Sequence, residues 1–374
     1  MQFRDLKRQY QNLKSQIDVA IAEVLTSANF ISGQKVKELE HQLAEYVGVK
    51  HCISCANGTD ALEIALMAMD IKQGDAVFVP DFTFFASAEA PAHLGATPVF
   101  VDINPVTYNI CAKSLENAIQ KVLKEGVLVP RVIVAVDLFG LTADYKELQK
   151  IADTYGLLIL EDGAQGFGAE YFGKKACSFG NISTTSFFPA KPLGCYGDGG
   201  AIFTDNDEYA SLIRSYCVHG KGVDKYHNAR IGMNSRLDTL QAAVLLEKLK
   251  AFKDYELDAV NRAAVVYTEQ LEELVLVPVI PKGHRSSWAQ YTIRTKNEAE
   301  RSELQEYLKK FDIPTNVYYP VPLHELPAFD GKCEQNGTAT TEAACESVLA
   351  LPIGPYITEE EVRFVCEKIA EFYK

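Results

Sequence analysis

Between about residues 50 and 205, short runs of β-forming residues alternate with stretches whose apolar residues recur at helical spacing. Alternation of this density predicts an α/β domain with a largely parallel sheet. Residues 132–136 and 157–160 are almost continuously apolar, which is typical of strands covered on both faces of a sheet. We expect strands at 75–80, 97–103, 132–139, 157–161, 184–188 and 201–204, and helices at 59–69, 113–124, 145–155 and 208–217.

The remainder of the chain predicts a second, smaller unit. The stretch 236–274 lacks Pro and Gly and has helical character throughout, as one helix or as two joined near Asp254. After it we expect extended segments at 288–295 and 314–319 and helices at 298–311, 341–349 and 358–372. Because 374 residues exceed the usual length of one domain, we expect an N-terminal arm with a large α/β domain over 1–250 and a small α+β domain over 251–374.

The charge balance limits the partners of this protein. Against 37 Lys and Arg stand 50 Asp and Glu, which gives a formal net charge of −13. A surface of this sign repels phosphate backbones and anionic lipid headgroups, so neither nucleic acid nor a membrane surface is an expected partner. The chain also lacks an apolar run of membrane-spanning length and a signal-peptide core at its start. We therefore expect a soluble, cytoplasmic protein.

The nine cysteines are scattered without regular spacing, as expected in a reducing cytoplasm. Cys52 and Cys55 have CxxC spacing, but neither a second pair nor a nearby histidine completes a zinc-ligand set. We expect two half-buried thiols at a strand edge and no metal site.

The segment 186–200 contains the residue with the clearest chemical potential. Lys191 follows an apolar strand and precedes a glycine cluster, and Pro192 cannot extend a strand ladder. Lys191 is therefore expected in a strand-end loop, where partial desolvation lowers the pKa of an amine that then attacks a carbonyl group. Taken alone, the segment fits a solvated loop lysine better.

Three further features end other predicted strands. Asp162 follows the apolar run 157–160, where a carboxylate either pairs with a protonated pyridine nitrogen or caps a turn. Gly58 lies at a helix start, with Asn57 or Thr59 as N-cap, where free N–H groups bind phosphate. Phe84 follows the strand at 75–80, where its ring stacks on a planar cofactor or packs in the core. Together with Lys191, these features are those that a pyridoxal phosphate site requires.

Longer motifs resemble one protein family. From about Asp5 to the C-terminus the chain is similar to the DegT/DnrJ/EryC1/StrS nucleotide-sugar aminotransferases, which have the aspartate aminotransferase-like fold type I. This resemblance implies a large α/β domain with a mostly parallel sheet and a smaller α+β C-terminal domain. The matching motifs are 57–62, 83–84, 161–165, 186–191, 232–236 followed by 241–243, and 322–325.

The resemblance implies pyridoxal 5'-phosphate as cofactor and assigns residues to it. Lys191 matches the lysine that bonds covalently to the cofactor, and Asp162 the partner of its pyridine nitrogen. Other matches are Phe84 for ring stacking, Gln165 for the ring hydroxyl, and Gly58, Thr59 and Ser186 for the phosphate. Asn234 resembles a residue that reaches the phosphate in the neighbouring subunit, which implies a homodimer with composite active sites. Asp198 stands where many members have Glu, and this departure keeps the charge.

The implied reaction is transamination of a nucleotide-linked keto-sugar with L-glutamate as the amino donor, for cell-surface polysaccharide or amino-sugar biosynthesis. Lys191 would act as the general base in both halves of the reaction. The stretch 226–236 resembles the branch that acts on UDP- or dTDP-linked 3-oxo sugars, including UDP-2-acetamido-3-oxo-glucuronate. Arg230 is then the candidate for a uronate carboxylate, because its planar guanidinium binds both oxygens. His324, Tyr318 and Tyr319 are candidates for the sugar pocket.

Several alternatives remain at this point. The basic loop with Lys221, Lys225 and Arg230 also fits a solvated surface, and the tyrosines also fit packing roles. A 4-oxo-sugar aminotransferase or a catalytically silent regulatory homologue would carry the same motifs. A nicotinamide dehydrogenase is disfavoured, because residues 197–200 lack the dinucleotide-binding spacing and precede a strand instead of a helix.

Overall fold

A computed structural model describes residues 1–224 and 226–374. Within them the strands are β1 His51–Cys55, β2 Asp75–Pro80, β3 Thr97–Val101, β4 Val129–Val136, β5 Leu158–Asp162, β6 Glu170–Tyr171, β7 Lys174–Lys175, β8 Ile182–Ser186, β9 Gly200–Thr204, β10 His284–Arg285, β11 Tyr291–Arg294, β12 Glu334–Gln335 and β13 Val348–Leu351. The helices are α1 Leu6–Ser27, α2 Gln34–Val47, α3 Gly58–Ala68, α4 Ala86–His93, α5 Ala112–Glu125, α6 Tyr145–Tyr155, α7 Asp207–Tyr216, α8 Thr239–Ala251, α9 Leu257–Leu271, α10 Glu298–Lys309, α11 Ala339–Ser347 and α12 Glu359–Phe372.

In this part of the chain, eight strands form one sheet in the order β1-β9-β8-β5-β4-β2-β3-β12. From β8 to β12 every neighbouring pair is parallel. β9 runs antiparallel to both β1 and β8, so β1 keeps the direction of the parallel strands. The carboxyl ends of β1, β2, β5 and β8 therefore lie along the same edge of the sheet, and the loops after them meet there.

Helices cover both faces of this sheet, as the apolar runs predict. In β4, Val132 and Val134 pack with α3 and α4 on one face, while Ile133 and Ala135 pack with α5 and α6 on the other. This alternation follows from the two-residue period of a strand. None of the helices in the described residues has the length and apolar character needed to cross a bilayer.

The two ends of the chain build further layers. α1 packs against α8 through Leu13, Ile17 and Val244, so the expected N-terminal arm is largely helical. α8 and α9 follow each other through a π-helical turn at Phe252–Glu256, which lies where the alternative of two helices placed the junction, near Asp254. β11 and β13 pair as a two-stranded antiparallel sheet beside α10 and α12.

Some expected boundaries are wrong. β4 ends at Val136 instead of 139, because Leu138–Gly140 form a 3-10 turn in which Phe139 has a φ of 58°. The helix expected over 341–349 ends at Ser347, and the apolar run Val348–Leu351 pairs as β13. Residues 314–319 contribute an isolated bridge from Asn316 to Ala350 in place of a strand.

The prediction that Cys52 and Cys55 are half-buried is also wrong. Both lie on the edge strand β1, yet they are 2% and 0% exposed, because α2, α3 and α7 pack against β1. Burial raises the pKa of both thiols well above the ordinary value, so these side chains are neutral packing groups.

Candidate active site

The loops at the carboxyl edge of the sheet enclose a cavity of about 780 Å³. Its walls come from the ends of β1, β2, β4, β5 and β8 and from the segment around residues 318–326. Eight of the residues that the sequence analysis selected line this cavity: Gly58, Thr59, Phe84, Asp162, Gln165, Ser186, Lys191 and Tyr318. Tyr319 and Asp198 line it as well.

One end of the cavity is the start of α3. The Asn57 side chain caps this helix by accepting a hydrogen bond from the Asp60 N–H at 2.8 Å. The first-turn N–H groups of Gly58 and Thr59 have no partner further back in the helix and point out of its start. A Cβ at Gly58 would lie 2.7 Å from the Ser186 Cβ, so only glycine allows α3 to approach the end of β8 this closely. The resulting cradle of N–H and hydroxyl groups fits a phosphate.

Asp162 is held as a buried acceptor at the end of β5. It is 5% exposed, and its Oδ2 accepts a hydrogen bond from the Ser87 hydroxyl at 2.7 Å. Its Oδ1 accepts from the Ala164 N–H at 3.2 Å, and Thr83 Oγ1 lies 3.2 Å from the Ser87 hydroxyl. These donors fix the Asp162 side chain in place at the cavity wall, where it could pair with a protonated pyridine nitrogen.

Lys191 lies in the turn that follows β8. Its N–H donates to the Phe188 carbonyl at 2.8 Å, which fixes the turn that carries the side chain to the cavity wall. Burial lowers the pKa of Lys191, Asp162 opposes that shift, and Arg4 adds to it. Arg4 belongs to the N-terminal segment, where its Nη2 donates to the Pro192 carbonyl at 3.5 Å. A lowered pKa increases the fraction of neutral amine, which is the nucleophilic and basic form.

Gln165 and Phe84 complete the part of the site that fits a planar ring. Gln165 is 4% exposed; its Oε1 accepts from the Phe139 N–H at 2.7 Å and its Nε2 donates to the Tyr319 hydroxyl at 3.1 Å. Phe84 is 55% exposed, and its ring lines the cavity. The phosphate cradle, the buried carboxylate, the amine and the aromatic wall together fit pyridoxal phosphate.

Behind the cavity lies a buried acidic pair that the sequence analysis did not select. Glu161 accepts from the Ser183 hydroxyl and the Phe179 N–H at 2.7 Å each, and Asp137 accepts from the Tyr145 hydroxyl at 2.8 Å. Burial raises the pKa of both carboxyl groups, to about 7 for Glu161 and well above the ordinary value for Asp137. The pair joins the ends of β4 and β5, which pair there through Val136 and Asp162.

Three selected residues do not line the cavity. His324 is held by Asp81, which accepts from its backbone N–H at 2.9 Å and lies 2.6 Å from its Nδ1. Arg230 donates to the Ser215 hydroxyl and stacks on Tyr216 with its guanidinium carbon 5.7 Å from the ring centroid. Asn234 is exposed and bridges to Val218. Lys225, part of the same basic loop, lies outside the described residues.

Two residues near the site were missed. Ser87 supports Asp162 from the first turn of α4, and Gln290, just before β11, lines the cavity. A Thr83–Ser87 spacing of four residues after a strand end is a weak signal for a hydroxyl pair, whereas nothing in the sequence marks Gln290.

Comparison with known proteins identifies the family. Residues 11–370 match the sequence model of the DegT/DnrJ/EryC1/StrS aminotransferase family. The chain is 44% identical to the UDP-2-acetamido-2-deoxy-3-oxo-D-glucuronate aminotransferase of Pseudomonas aeruginosa, with 98% of each chain covered. It is 43% identical to a pleiotropic regulatory protein of Geobacillus stearothermophilus, with 99% and 98% covered. It is 38% identical to the UDP-N-acetyl-3-dehydro-alpha-D-glucosamine 3-aminotransferase of Acidithiobacillus ferrooxidans, with 96% and 94% covered.

The fold agrees with the sequence similarity. The crystal structure of a DegT DnrJ EryC1 StrS aminotransferase from Brucella abortus superposes with a TM-score of 0.97 at 46% identity, covering 100% of this chain and 99% of that one. The chain therefore belongs to the DegT/DnrJ/EryC1/StrS aminotransferase family. It is a pyridoxal phosphate-dependent aminotransferase of the nucleotide-sugar type, which confirms the predicted family, fold class, cofactor and enzyme class.

Proposed function

We propose that this enzyme transfers the amino group of L-glutamate to C3 of a UDP-linked 3-oxo sugar, with UDP-2-acetamido-2-deoxy-3-oxo-D-glucuronate as the first candidate. The convergence of Lys191 and Asp162 on one cavity of about 780 Å³ is the observation that carries the transamination chemistry. The relatives from Pseudomonas aeruginosa and Acidithiobacillus ferrooxidans support the 3-oxo position, because both are named for it.

When bound, pyridoxal phosphate supplies an electron sink next to the carbon that loses or gains a proton. Asp162 would pair with the ring nitrogen, and the cradle of Gly58, Thr59 and Ser186 would hold the phosphate. The Lys191 amine removes the proton from the glutamate Cα in the first half of the reaction. In the second half it returns a proton to C3 of the sugar. Its lowered pKa supports the removal, since the neutral amine is the competent base, and it also makes the protonated lysine a stronger acid for the return of the proton to C3.

A homodimer with composite sites is part of this proposal. Arg230 and Asn234 lie on the loop after α7 and do not reach the cavity of their own chain. Contact of either side chain with a substrate carboxylate or a cofactor phosphate therefore requires the cavity of a second copy. Val223 is 99% exposed and Ile231 is 89% exposed on the same loop, and a partner subunit would cover both apolar side chains.

Two further parts of the prediction are retained as proposals. The nine cysteines are all unpaired in the structure, which supports a reducing compartment such as the cytoplasm. The boundary near residue 250 falls at the end of α8, where the π-helical turn begins, and supports a division into 1–250 and 251–374.

A regulatory protein without turnover is the second candidate, because one relative at 43% identity is named as a regulator. The first test is the absorbance of the purified holoenzyme. We expect violet absorbance from lysine-bound cofactor, its loss on hydride reduction with the adduct on Lys191, and conversion by glutamate to the amino form of the cofactor. Bound cofactor that glutamate leaves unchanged favours the regulator or another amino donor.

The second test is a panel of 3-oxo and 4-oxo nucleotide sugars with glutamate. Amination of the 3-oxo sugars alone supports the proposed position, whereas amination of 4-oxo sugars contradicts it. In the same assay, Arg230→Ala should raise KM for the uronate far more than for a neutral 3-oxo sugar, since a bidentate contact exists only with the carboxylate. Equal effects on both substrates exclude that role. Lys191→Ala should abolish turnover in every case.

A further inference from the structure

Gln290 is a polar residue of the cavity wall for which the cofactor chemistry gives no role. Its side chain lines the large cavity together with Tyr318 and Tyr319. It also lines a narrow second cavity of about 20 Å³, whose other walls are mostly apolar side chains together with Thr107, Ser286 and Thr292. Gln290 therefore stands in the partition between the two spaces.

The backbone around Gln290 is attached to the segments that follow β4 and β5. The Ser287 N–H and the Ser286 hydroxyl both donate to the Gly140 carbonyl, at 2.9 and 3.0 Å. The Ser287 hydroxyl donates to the Gln165 carbonyl at 2.9 Å, and the Gln290 N–H donates to the Phe139 carbonyl at 3.4 Å. Gln290 is thus held at a fixed position in the cavity wall, which is what precise recognition requires.

The hydrogen-bonding state of the amide points to a ligand. Among the described residues, neither Gln290 Oε1 nor Thr292 Oγ1 has a hydrogen-bond partner, although both atoms are buried. Buried polar atoms without partners are costly, and each needs an explanation. Both residues line the narrow cavity of about 20 Å³, which has room for one water. If the oxygen is satisfied there, the amide nitrogen is the donor that this side chain can offer to the large cavity, which it also lines.

We propose that Gln290 binds the keto-sugar: its Nε2 donates a hydrogen bond to a neutral oxygen substituent of the sugar, such as a hydroxyl or an acetamido carbonyl. A neutral amide suits such a group, whereas carboxylates are usually held by arginine. The inference rests on the proposed function and makes Gln290 a substrate-specificity residue of that reaction. It assigns no role to Gln290 in the glutamate half-reaction.

The test separates the two half-reactions of the holoenzyme. The variants are Gln290→Leu, which keeps the size, and Gln290→Glu, which keeps the shape and removes the donor. Thr292→Val is the matched control, because it removes the other unpartnered atom of the narrow cavity. The probes are glutamate alone, followed by the absorbance of the cofactor, and UDP-2-acetamido-2-deoxy-3-oxo-D-glucuronate in steady state.

We expect both Gln290 variants to bind cofactor fully and to react with glutamate at the wild-type rate. Their KM for the keto-sugar should rise about tenfold, the usual effect of losing one neutral hydrogen bond, while Thr292→Val stays near wild type. Equal losses in both half-reactions, reduced cofactor occupancy, or a Gln290→Glu variant with wild-type KM would overturn the inference. A wild-type enzyme that reacts with glutamate but leaves this keto-sugar untouched would instead contradict the proposed substrate.

Discussion

Substitution of Gly58 by alanine tests how the phosphate cradle is built. The added Cβ would lie 2.7 Å from the Ser186 Cβ and 3.3 Å from the Ser186 Cα. Ordinary contact begins near 3.4 Å, so α3 and the end of β8 must separate by about 0.7 Å. Overpacking of this kind costs about 1–3 kcal/mol, which corresponds to a loss of roughly fivefold to 150-fold if it is expressed in cofactor binding. We expect Gly58→Ala to weaken pyridoxal phosphate binding by about that factor, measured by titration of the cofactor-free protein.

The second-site variant Ser186→Gly makes this prediction specific. It removes the atom that the new Cβ would strike and leaves the contact with the backbone at position 186. In that background Gly58→Ala should cost less than half of what it costs in the wild-type background, because the two residues are in direct contact and their effects do not add. The same loss of cofactor affinity in both backgrounds would refute the reasoning, and would place the role of Gly58 in backbone conformation alone.

Three other perturbations follow from the structure. Phe84→Ala should weaken cofactor binding about tenfold without changing the melting temperature of the cofactor-free protein. The reason is that the ring is 55% exposed in the cavity and its stacking partner is the cofactor. A lower melting temperature of the cofactor-free variant would show a core role instead. Burial lowers the pKa of Lys248 from 10.5 to about 8, and Glu256 opposes the shift. Between pH 8 and about pH 10.5 the unfolded state therefore keeps the Lys248 proton that the folded state has lost. The free energy of unfolding consequently rises with pH over this range. Between pH 8 and 9.5, urea unfolding should show that the wild type gains roughly 2 kcal/mol relative to Lys248→Met, and parallel pH profiles would contradict the shift. Mixing inactive Lys191→Ala and Asn234→Ala subunits should restore about a quarter of wild-type activity if each site takes Asn234 from the partner subunit, and no recovery after subunit exchange would argue against composite sites.

The parallel sheet is the reason that much of the cavity can be predicted from the sequence. Gly58, Phe84, Asp162 and Lys191 are separated by up to 133 positions, but each follows a strand of the same direction. Once strand–helix alternation establishes that direction, the strand ends must meet along one edge. The identities of the residues at that edge then indicate the chemistry.

The short strands of both units were less predictable, because they carry weak signals. β6, β7, β10 and β12 contain two residues each, which is too short for any periodic pattern. The run Val348–Leu351 continues the apolar pattern of the preceding helix, so spacing alone does not show where the helix ends and β13 begins. These elements are set by tertiary contacts, such as the pairing of β13 with β11.

Contacts between distant segments also decide which polar residues reach the cavity. The motif that contains His324 matches the family, yet its side chain binds Asp81 instead of lining the cavity. Gln290 lies in no recognised motif. Hydrogen bonds from residues 286–290 to the turn after β4, at Leu138–Gly140, nevertheless hold it at the cavity wall. A sequence motif identifies the residue type at a position, and the direction of its side chain depends on what packs behind it.

The adjacent acids Glu161 and Asp162 of β5 can be assigned different roles from the alternation of side chains along a strand, a rule that the sequence analysis did not apply to them. Successive residues of a strand point to opposite faces, so Glu161 shares a face with Ile159, and Asp162 shares the other with Leu160. Ile159 packs with α6 in one cluster, and Leu160 packs with α3 and α4 in the other. Glu161 accordingly meets Asp137 and Ser183 behind the cavity, and Asp162 meets Ser87 of α4 at its wall. The phosphate cradle lies at the start of α3. Asp162, the acid on the face of the sheet that α3 covers, is therefore the one available to the cofactor ring.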